Sequence, residues 1–434
     1  MLVKEILKIT RGRLVSGNPD IDIAPPKIST DSRTMMKGGF FIALKGPNFD
    51  GDDFVKEAFA KGARGALVAV CKMQLDDKRI IIQVRDTLEA LQTIASHHRM
   101  KFRIPVIGIT GSNGKTTTKE MMWRVLSAKY NVLKNEGTKN NHIGLPLTLL
   151  KLESSHDICI LEMGMNHRGE IRLLCDIAKP TIAVITNIGP SHLEFMGNLN
   201  KIFKAKREIL ESLCKKSIAI LNGDDEYLSK IRNASFDILR FGLEDSNDLQ
   251  ATDISVGRNK IKFGVNGKMG YELNLLGLHN IWNALAAIAV GTRFNISYGS
   301  MKRSLFAYKP AYMRLNLRRF NGLAIIDDTY NSNPSSMDCA LEALRNYPAN
   351  ARWVVSGDML ELGVHGKDFH RMVGRMVARS NAKGLLTFGR LSKATLSEAR
   401  NCGMDKDNLW HCSTHGQIAG ILRRVAKSGD AVLI

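Results

Sequence analysis

Residues 106–122, VIGITGSNGKTTTKEMM, set a glycine turn between an apolar run and a helix-forming run. Gly111 and Gly114 lack side chains, so the backbone N–H groups from Gly111 through Ser112 and Asn113 to Gly114 can close around phosphate oxygens. The helix that follows adds its positive end. Lys115 supplies a point charge for the β- and γ-phosphates, Thr116 can offer its hydroxyl to Mg²⁺, and Thr117 adjoins them. The spacing departs from GxxxxGK[ST]: Ile109 stands where the first glycine belongs, and Gly108 lies one residue too far upstream. The strand–turn–helix context predicts ATP or GTP binding and leaves open what the energy is used for.

Further candidates stand at the carboxyl ends of apolar runs, where open α/β sheets bind ligands. Glu162 ends ICILE, His192 follows IAVITNIG by three residues, and Asp328 follows LAIID. A carboxylate beside a phosphate loop could hold Mg²⁺ through hard oxygen atoms. Taken singly, each also fits a cap or a surface residue. Lys206, in FKAKREIL, fits a solvated basic helix face. Asn140 and Asn141, before Gly144 and Pro146, fit a turn. His279, Asn280 and Asn283, in HNIWN, fit a helix start with Asn280 as cap.

The elements needed to position these residues follow from the pattern of apolar runs. Short strands are expected at 40–44, 65–70 and 80–84, then a helix from Asp86 to Met100. After Arg103-Ile104-Pro105 come strands of parallel-sheet type at 106–110, 158–164, 182–189 and 217–222, and a helix over 275–290. Beyond Pro310 the strands 323–330, 353–359, 384–389 and 431–434 alternate with helices at 335–345 and 369–379. The expectation is an α/β protein of three domains: a mixed α/β module over 1–84, a phosphate-loop parallel sheet with helices on both faces over 85–312, and a Rossmann-like α/β unit over 313–434. A chain of 434 residues accommodates three domains of ordinary size.

Composition narrows the function. Lys and Arg exceed Asp and Glu by 62 to 42, a formal charge of +20 that favours anionic partners. The excess is spread along the chain, with no basic block interleaved with aromatics, so no nucleic-acid surface is expected. Seven cysteines without a CxxC suit reduced thiols in a cytoplasmic protein. Cys402, His411, Cys412 and His415 fit no standard zinc spacing. The first residues are too charged for a signal peptide, and no apolar run approaches a membrane span.

Taken together, STDSR (29–33), ALKGPNFDG (43–51), TGSNGKTTTKEM (110–121), NNHIGLPLTLL (140–150), LEMGMNHRGEI (161–171), TNIGPSHLEF (186–195), KAKREI (204–209), GLHNIWNALAA (277–287), DDTYNSNPSSM (327–337) and GDMLELG (357–363) with His370 resemble the Mur ligases. These are ATP-dependent, amide-forming enzymes of peptidoglycan precursor synthesis. DDTYNSNPSSM and GDMLELG are similar to the members that join D-alanyl-D-alanine to UDP-N-acetylmuramoyl-tripeptide. The DNPR motif of the diaminopimelate-adding members and the N-terminal GxGxxG of the alanine-adding one do not occur.

The resemblance implies roles residue by residue. Ser32, Arg33, Lys45 and Asn48 would hold the UDP end of the substrate, with Asn140 and Asn141 also facing it. Lys115 and Thr116 would bind ATP and magnesium. Glu162 would be shared between two Mg²⁺ ions, His192 would serve the second, and Lys206 would carry a carbamate. His279, Asn280 and Asn283 would border the adenine. Arg314 and Asp328 would reach the ribose and phosphates as the last domain closes. Tyr330, Asn331 and Asn333 would sit near the dipeptide. A cytoplasmic monomer with no membrane span and no nucleic acid is implied. Met313-Arg314 stands where the family commonly has Gly-Arg. The family's last strand runs on into a Lys-Gly-Ser-Arg segment and a final helix, so a chain ending at Ile434 is expected to expose apolar surface.

Three other readings compete. Another Mur-type ligase, adding a different amino acid or dipeptide, is the runner-up, and a more distant folate- or cyanophycin-type peptide ligase is disfavoured by STDSR. A nucleotide-binding homologue without turnover is disfavoured by the retention of Lys115, Glu162, His192 and Lys206. A nucleic-acid-dependent ATPase lacks the surface it would need.

Overall fold

The computed structural model describes residues 1–72, 79–232 and 235–434, and its contacts divide the chain into two units. The first comprises residues 1–108, 130–165 and 169–182; the second comprises 109–129, 166–168 and 183–434.

The first unit opens with β1 (Arg13–Ser16), β2 (Ile28–Ser29), β3 (Phe40–Ile42), β4 (Gly65–Val68) and β5 (Ile80–Gln83), which form a sheet in the order β1-β5-β4-β3-β2. All its neighbours are parallel except β1 and β5. Side chains alternate across a strand. Phe41 and Ala43, Ala66 and Val68, and Ile81 therefore share one face, packed with Val55, Ala58 and Phe59 of the segment that follows β3. Strand β6 (Val106–Thr110) carries the chain between the units; on the first unit's side β8 (Ile158–Glu162) pairs in parallel with β7 (Val132–Lys134). The helix Thr87–Met100 starts where the sequence predicts. Asp86 caps it, accepting N–H groups from Leu88 and Glu89.

In the second unit the order runs β6, β9 (Ile182–Ile185), β10 (Ile218–Asn222), β11 (Asp237–Gly242), β12 (Leu249–Val256), β13 (Ile261–Val265), β14 (Met269–Leu273). The expected all-parallel sheet ends at β12. From there β12, β13 and β14 are antiparallel. A hairpin turn in which Asn266 and Gly267 both take positive φ joins the last two. The expected helix over 275–290 is Asn280–Arg293 instead. Gly277, at φ +85°, stops the preceding run. Asn280 is the first helical residue rather than the cap, and its amide donates back to the Leu276 carbonyl.

The last third of the chain builds a six-stranded sheet from β15 (Asn316–Phe320), β16 (Leu323–Asp327), β17 (Arg352–Ser356), β18 (Gly384–Phe388), β19 (Leu409–Cys412) and β20 (Ala431–Leu433). Its order is β15-β16-β20-β17-β18-β19, parallel throughout except for the hairpin β15–β16. Trp353, Val355, Leu386, Cys412 and Val432 pack on one face. Among the described residues no helix is long and apolar enough to cross a membrane.

Candidate functional site

The glycine turn after β6 is locked by its neighbours. Gly111 takes φ +149°, and a Cβ there would lie 1.9 Å from the Thr186 hydroxyl oxygen, so only glycine fits. The Ser112 N–H donates to the Asn187 carbonyl at 3.0 Å, and the Asn113 N–H to Asn187 Oδ1 at 2.9 Å. Thr186 donates its hydroxyl to the Asn113 carbonyl at 2.6 Å. Ser112 Oγ both receives the Gly189 N–H and donates to the Gly189 carbonyl. Asp225 in turn accepts the Ile188 N–H at 2.7 Å. Thr186, Asn187 and Asp225 are the positioning residues that sequence reasoning missed. The position of TNIG after a strand was a signal for Thr186 and Asn187, and Asp225, 37 residues from its partner Ile188, had none.

Helix Lys115–Leu126 starts directly from Gly114, at φ +80°, where a Cβ would meet Asn283 Oδ1 at 2.5 Å. Asn283 accepts the Thr118 hydroxyl at 3.0 Å and donates to Asn280 Oδ1 at 3.0 Å. The HNIWN run therefore butts against the phosphate-loop helix, with both asparagine amides engaged inside the protein. His279 precedes them, half-buried, with its Nδ1 enclosed and lacking a hydrogen-bond partner. Burial lowers its pKa to about 4.

Two lysines converge on one oxygen. Lys115 Nζ donates to the Gly111 carbonyl at 2.8 Å and to the Ser112 carbonyl at 3.2 Å. Lys206 Nζ donates to the same Gly111 carbonyl at 3.0 Å. Lys206 lies on the helix Leu199–Glu211 and is 1% exposed, not on the solvated basic face that composition suggested. Desolvation first, and then the Lys115 charge, hold its pKa well below the usual lysine value.

His192 stands at φ +55° just before a short helix, Leu193–Met196. Burial, then the Lys206 charge, lowers its basicity, with Lys115 adding to the effect and Glu361 opposing it. Its Nδ1 lies 2.6 Å from Glu361 Oε2. A second tie reaches the loop from the same part of the chain. Asn333 caps the helix Pro334–Asn346, accepting the Ser336 N–H, and donates from Nδ2 to Asn113 Oδ1 at 2.8 Å. Asn113 Nδ2 returns a bond of 3.4 Å. Residues 313–434 are thus docked on the phosphate loop through Asn333 and on His192 through Glu361.

Arg314 stacks on the Tyr330 ring, 4.0 Å from its centroid. Asp328 Oδ1 accepts the Leu315 N–H at 3.1 Å, and burial raises its pKa to about 6 against the pull of Arg314. Asn331 is exposed.

In the first unit, Glu162 is buried at the end of β8. Its Oε1 accepts the Asn140 amide at 2.8 Å. The enclosed Asn135, unremarked in the sequence, receives the Glu162 N–H and donates to its carbonyl. Asn141 Oδ1 accepts the Gly144 N–H at 2.9 Å and serves the turn. Ser32 is buried and donates to Glu57 at 3.0 Å. Arg33, with 80% of its side chain exposed, pairs with Asp31 at 2.9 Å. Lys45 and Asn48 are exposed on the turn that Gly46 and Phe49 close.

Comparison with known proteins matches this geometry to a family. Residues 27–99 match the Mur ligase family catalytic domain, 109–291 the Mur ligase middle domain and 313–434 the Mur ligase glutamate ligase domain. The UDP-N-acetylmuramoyl-tripeptide–D-alanyl-D-alanine ligase of Bacillus subtilis is 37% identical over 99% of this chain and 94% of its own. The chain belongs to the Mur ligase family. The crystal structure of MurF from Acinetobacter baumannii superposes with a TM-score of 0.90 at 30% identity, covering 100% of this chain and 94% of that one. MurF from Thermotoga maritima, solved in complex with ADP, gives 0.84 at 29% identity over 95% and 94%. The fold is the three-domain α/β fold of the Mur ligases.

Within this Mur ligase, Met313 takes φ +60° and Leu315 φ +46°, on either side of Arg314. The left-handed region suits glycine, so the Gly-Arg of the family and the Met-Arg here share one backbone demand. Among the described residues no group of three His, Cys, Asp or Glu could hold a metal ion. Each unit offers isolated donors, the Thr116 hydroxyl and His192 ring in the second and the Glu162 carboxylate in the first. Donors this few in either unit fit only an Mg²⁺ that takes most of its ligands from phosphates and water.

Proposed function

We propose that this chain is the ATP-dependent ligase that joins D-alanyl-D-alanine to UDP-N-acetylmuramoyl-tripeptide, giving the pentapeptide precursor of peptidoglycan and ADP. The observation that carries this reading is the likeness along 99% of the chain to the B. subtilis ligase. The lysine pair at the phosphate loop supports it chemically. Residues 1–84 would hold the UDP end through Ser32, Arg33, Lys45 and Asn48, residues 85–312 ATP, and residues 313–434 the dipeptide through Tyr330, Asn331 and Asn333. The enzyme acts as a cytoplasmic monomer, in the compartment where ATP is made.

A carboxylate is a poor electrophile. Transfer of the γ-phosphoryl group makes an acyl phosphate. The dipeptide amine attacks its carbonyl carbon, the tetrahedral adduct expels phosphate, and the amine loses a proton as the amide forms. The Ser112 and Asn113 N–H groups are held by Asn187, so the charge on the transferring group falls to Lys115 and to the backbone at Gly114, where the helix begins. His279, Asn280 and Asn283 wall the adenine side, and Arg314 and Asp328 the ribose and phosphates. Thr116, Glu162 and His192 would hold Mg²⁺ at two sites, where it supplies Lewis-acid charge for the phosphoryl oxygens. A lysine held neutral by burial has the amine form that adds CO₂, losing one proton to give a carbamate. That converts Lys206 into an anionic oxygen donor beside His192 and Lys115.

The test is phosphate release from ATP with UDP-N-acetylmuramoyl-tripeptide, with and without D-alanyl-D-alanine. Release that needs both, with a product heavier by the dipeptide less water, is expected. Dipeptide-independent release, or a product carrying a single amino acid, would overturn the reading.

A further inference from the structure

Among the residues that surround the phosphate loop, Glu361 has no role in the reaction described above. Its side chain meets the His192 ring, Oε2 to Nδ1 at 2.6 Å. Its carbonyl accepts the Glu194 N–H at 2.9 Å. Two residues on, Gly363 comes so close that a Cβ would lie 2.9 Å from Glu194 Cα. The 358–363 turn and the 192–196 turn therefore touch through side chain, backbone and a glycine contact at once.

The backbone supplies an independent observation. Glu361 takes φ +60° and His192 φ +55°. Non-glycine residues in this region are uncommon and costly, and such strain collects at functional sites. The same turn uses glycine at position 363, φ +59°, where the conformation and the close approach of Glu194 both call for it. A glutamate kept in an equally left-handed position points to a task for the carboxylate.

That task follows from imidazole chemistry. A carboxylate at Nδ1 takes the N–H of that nitrogen, fixes the tautomer and leaves Nε2 as the lone-pair donor. Among the described residues no hydrogen bond is made by His192 Nε2. We propose that Glu361 is a positioning residue for His192: it sets the Nδ1–H tautomer from the 313–434 segment, so that docking of this segment and preparation of the histidine are one event. This rests on the ligase reading only for its kinetic consequence.

The experiment compares the unmodified chain with Glu361→Gly, Glu361→Gln and His192→Ala. Glycine suits the backbone at 361, so Glu361→Gly removes the carboxylate without adding strain. Glutamine keeps an acceptor. Long-range ¹H–¹⁵N spectra of histidine-labelled protein at mildly alkaline pH, with no nucleotide or metal, report the tautomer, and His192→Ala assigns the signal. The expected result is Nδ1–H in the unmodified chain and in Glu361→Gln, and a shift to Nε2–H in Glu361→Gly. In the ligation assay Glu361→Gly should lower kcat about 10- to 100-fold, as loss of an outer partner of a ligating histidine does, with KM for ATP little changed. Glu361→Gln should recover part of it, and Glu361→Gly should add nothing to His192→Ala. An Nε2–H signal in the unmodified chain, or losses that multiply in the double variant, would overturn the proposal. If the unmodified chain fails to turn over these substrates, the ligase reading fails, and the spectra still decide the role of Glu361.

Discussion

The phosphate loop and the STDSR region carry motifs of similar length, yet they are built in opposite ways. At the loop nearly every polar atom is engaged: Gly111 is wedged against Thr186, Asn113 is held by Asn187 and Asn333, and Lys206 is sealed from solvent. At the other motif Ser32 is tied to Glu57, while Arg33, Lys45 and Asn48 stand in water. A group that must stabilise a charge forming during the reaction works best when already fixed. A group that only holds the far end of a substrate can be ordered by it. Substitutions at the loop should therefore cut turnover and stability, and substitutions at the STDSR region should cut binding alone.

The sharpest contrast is expected from lysine. Lys115→Ala should lower kcat about 10²- to 10³-fold, the scale for losing one fixed donor to developing charge. Lys206→Ala should fall as far, and added bicarbonate or a short carboxylic acid should restore part of its rate. An unchanged steady-state rate for either would break the comparison. Gly111→Ala drives a methyl into Thr186 at a φ that alanine avoids, and denaturant melts should show a loss of about 3 kcal/mol.

His279 adds a pH dependence on the loop side. Its pKa falls from 6.5 in the unfolded chain to about 4 in the fold, so the unfolded chain binds the extra proton. Stability from this residue is complete above pH 6.5 and is lost as pH falls toward about 4, by up to about 3 kcal/mol. His279→Asn should flatten that part of the stability–pH curve. On the exposed side, Arg33→Ala should raise KM for the sugar nucleotide about tenfold, with kcat and melting temperature unchanged. A fall in kcat instead would put Arg33 among the fixed groups. The smallest effect is expected at Met313→Gly, a gain of roughly 0.5 kcal/mol from relieving a left-handed methionine.

Legibility followed the same divide. The strand over 106–110 and the helix from Lys115 could be read because an apolar run, a glycine turn and a helix-forming run each carry a local signal. Lys206 could be placed on a helix by periodicity, but it is buried against the Gly111 carbonyl 95 residues away, which no local pattern records. The antiparallel strands 249–256, 261–265 and 269–273 escaped because their apolar residues are few and interrupted: only Ala251 is buried in the first, and only Tyr271 and Leu273 in the last. The helix at 280–293 was begun too early, since Leu275 and Leu276 continue the apolar spacing across Gly277. Glu361 lay inside a quoted motif and still had no assigned role. Its partner is 169 residues away, and a carboxylate in a loop ordinarily faces water.

The Gly111 carbonyl has two lone pairs, and the two lysine nitrogens share them. A buried carbonyl stripped of its one donor would cost about 1–3 kcal/mol. If Lys115 turns toward a phosphate, the Lys206 nitrogen, which keeps an N–H even as a carbamate, still serves the oxygen. The shared acceptor would then release Lys115 at little cost and leave the loop's shape to the buried lysine.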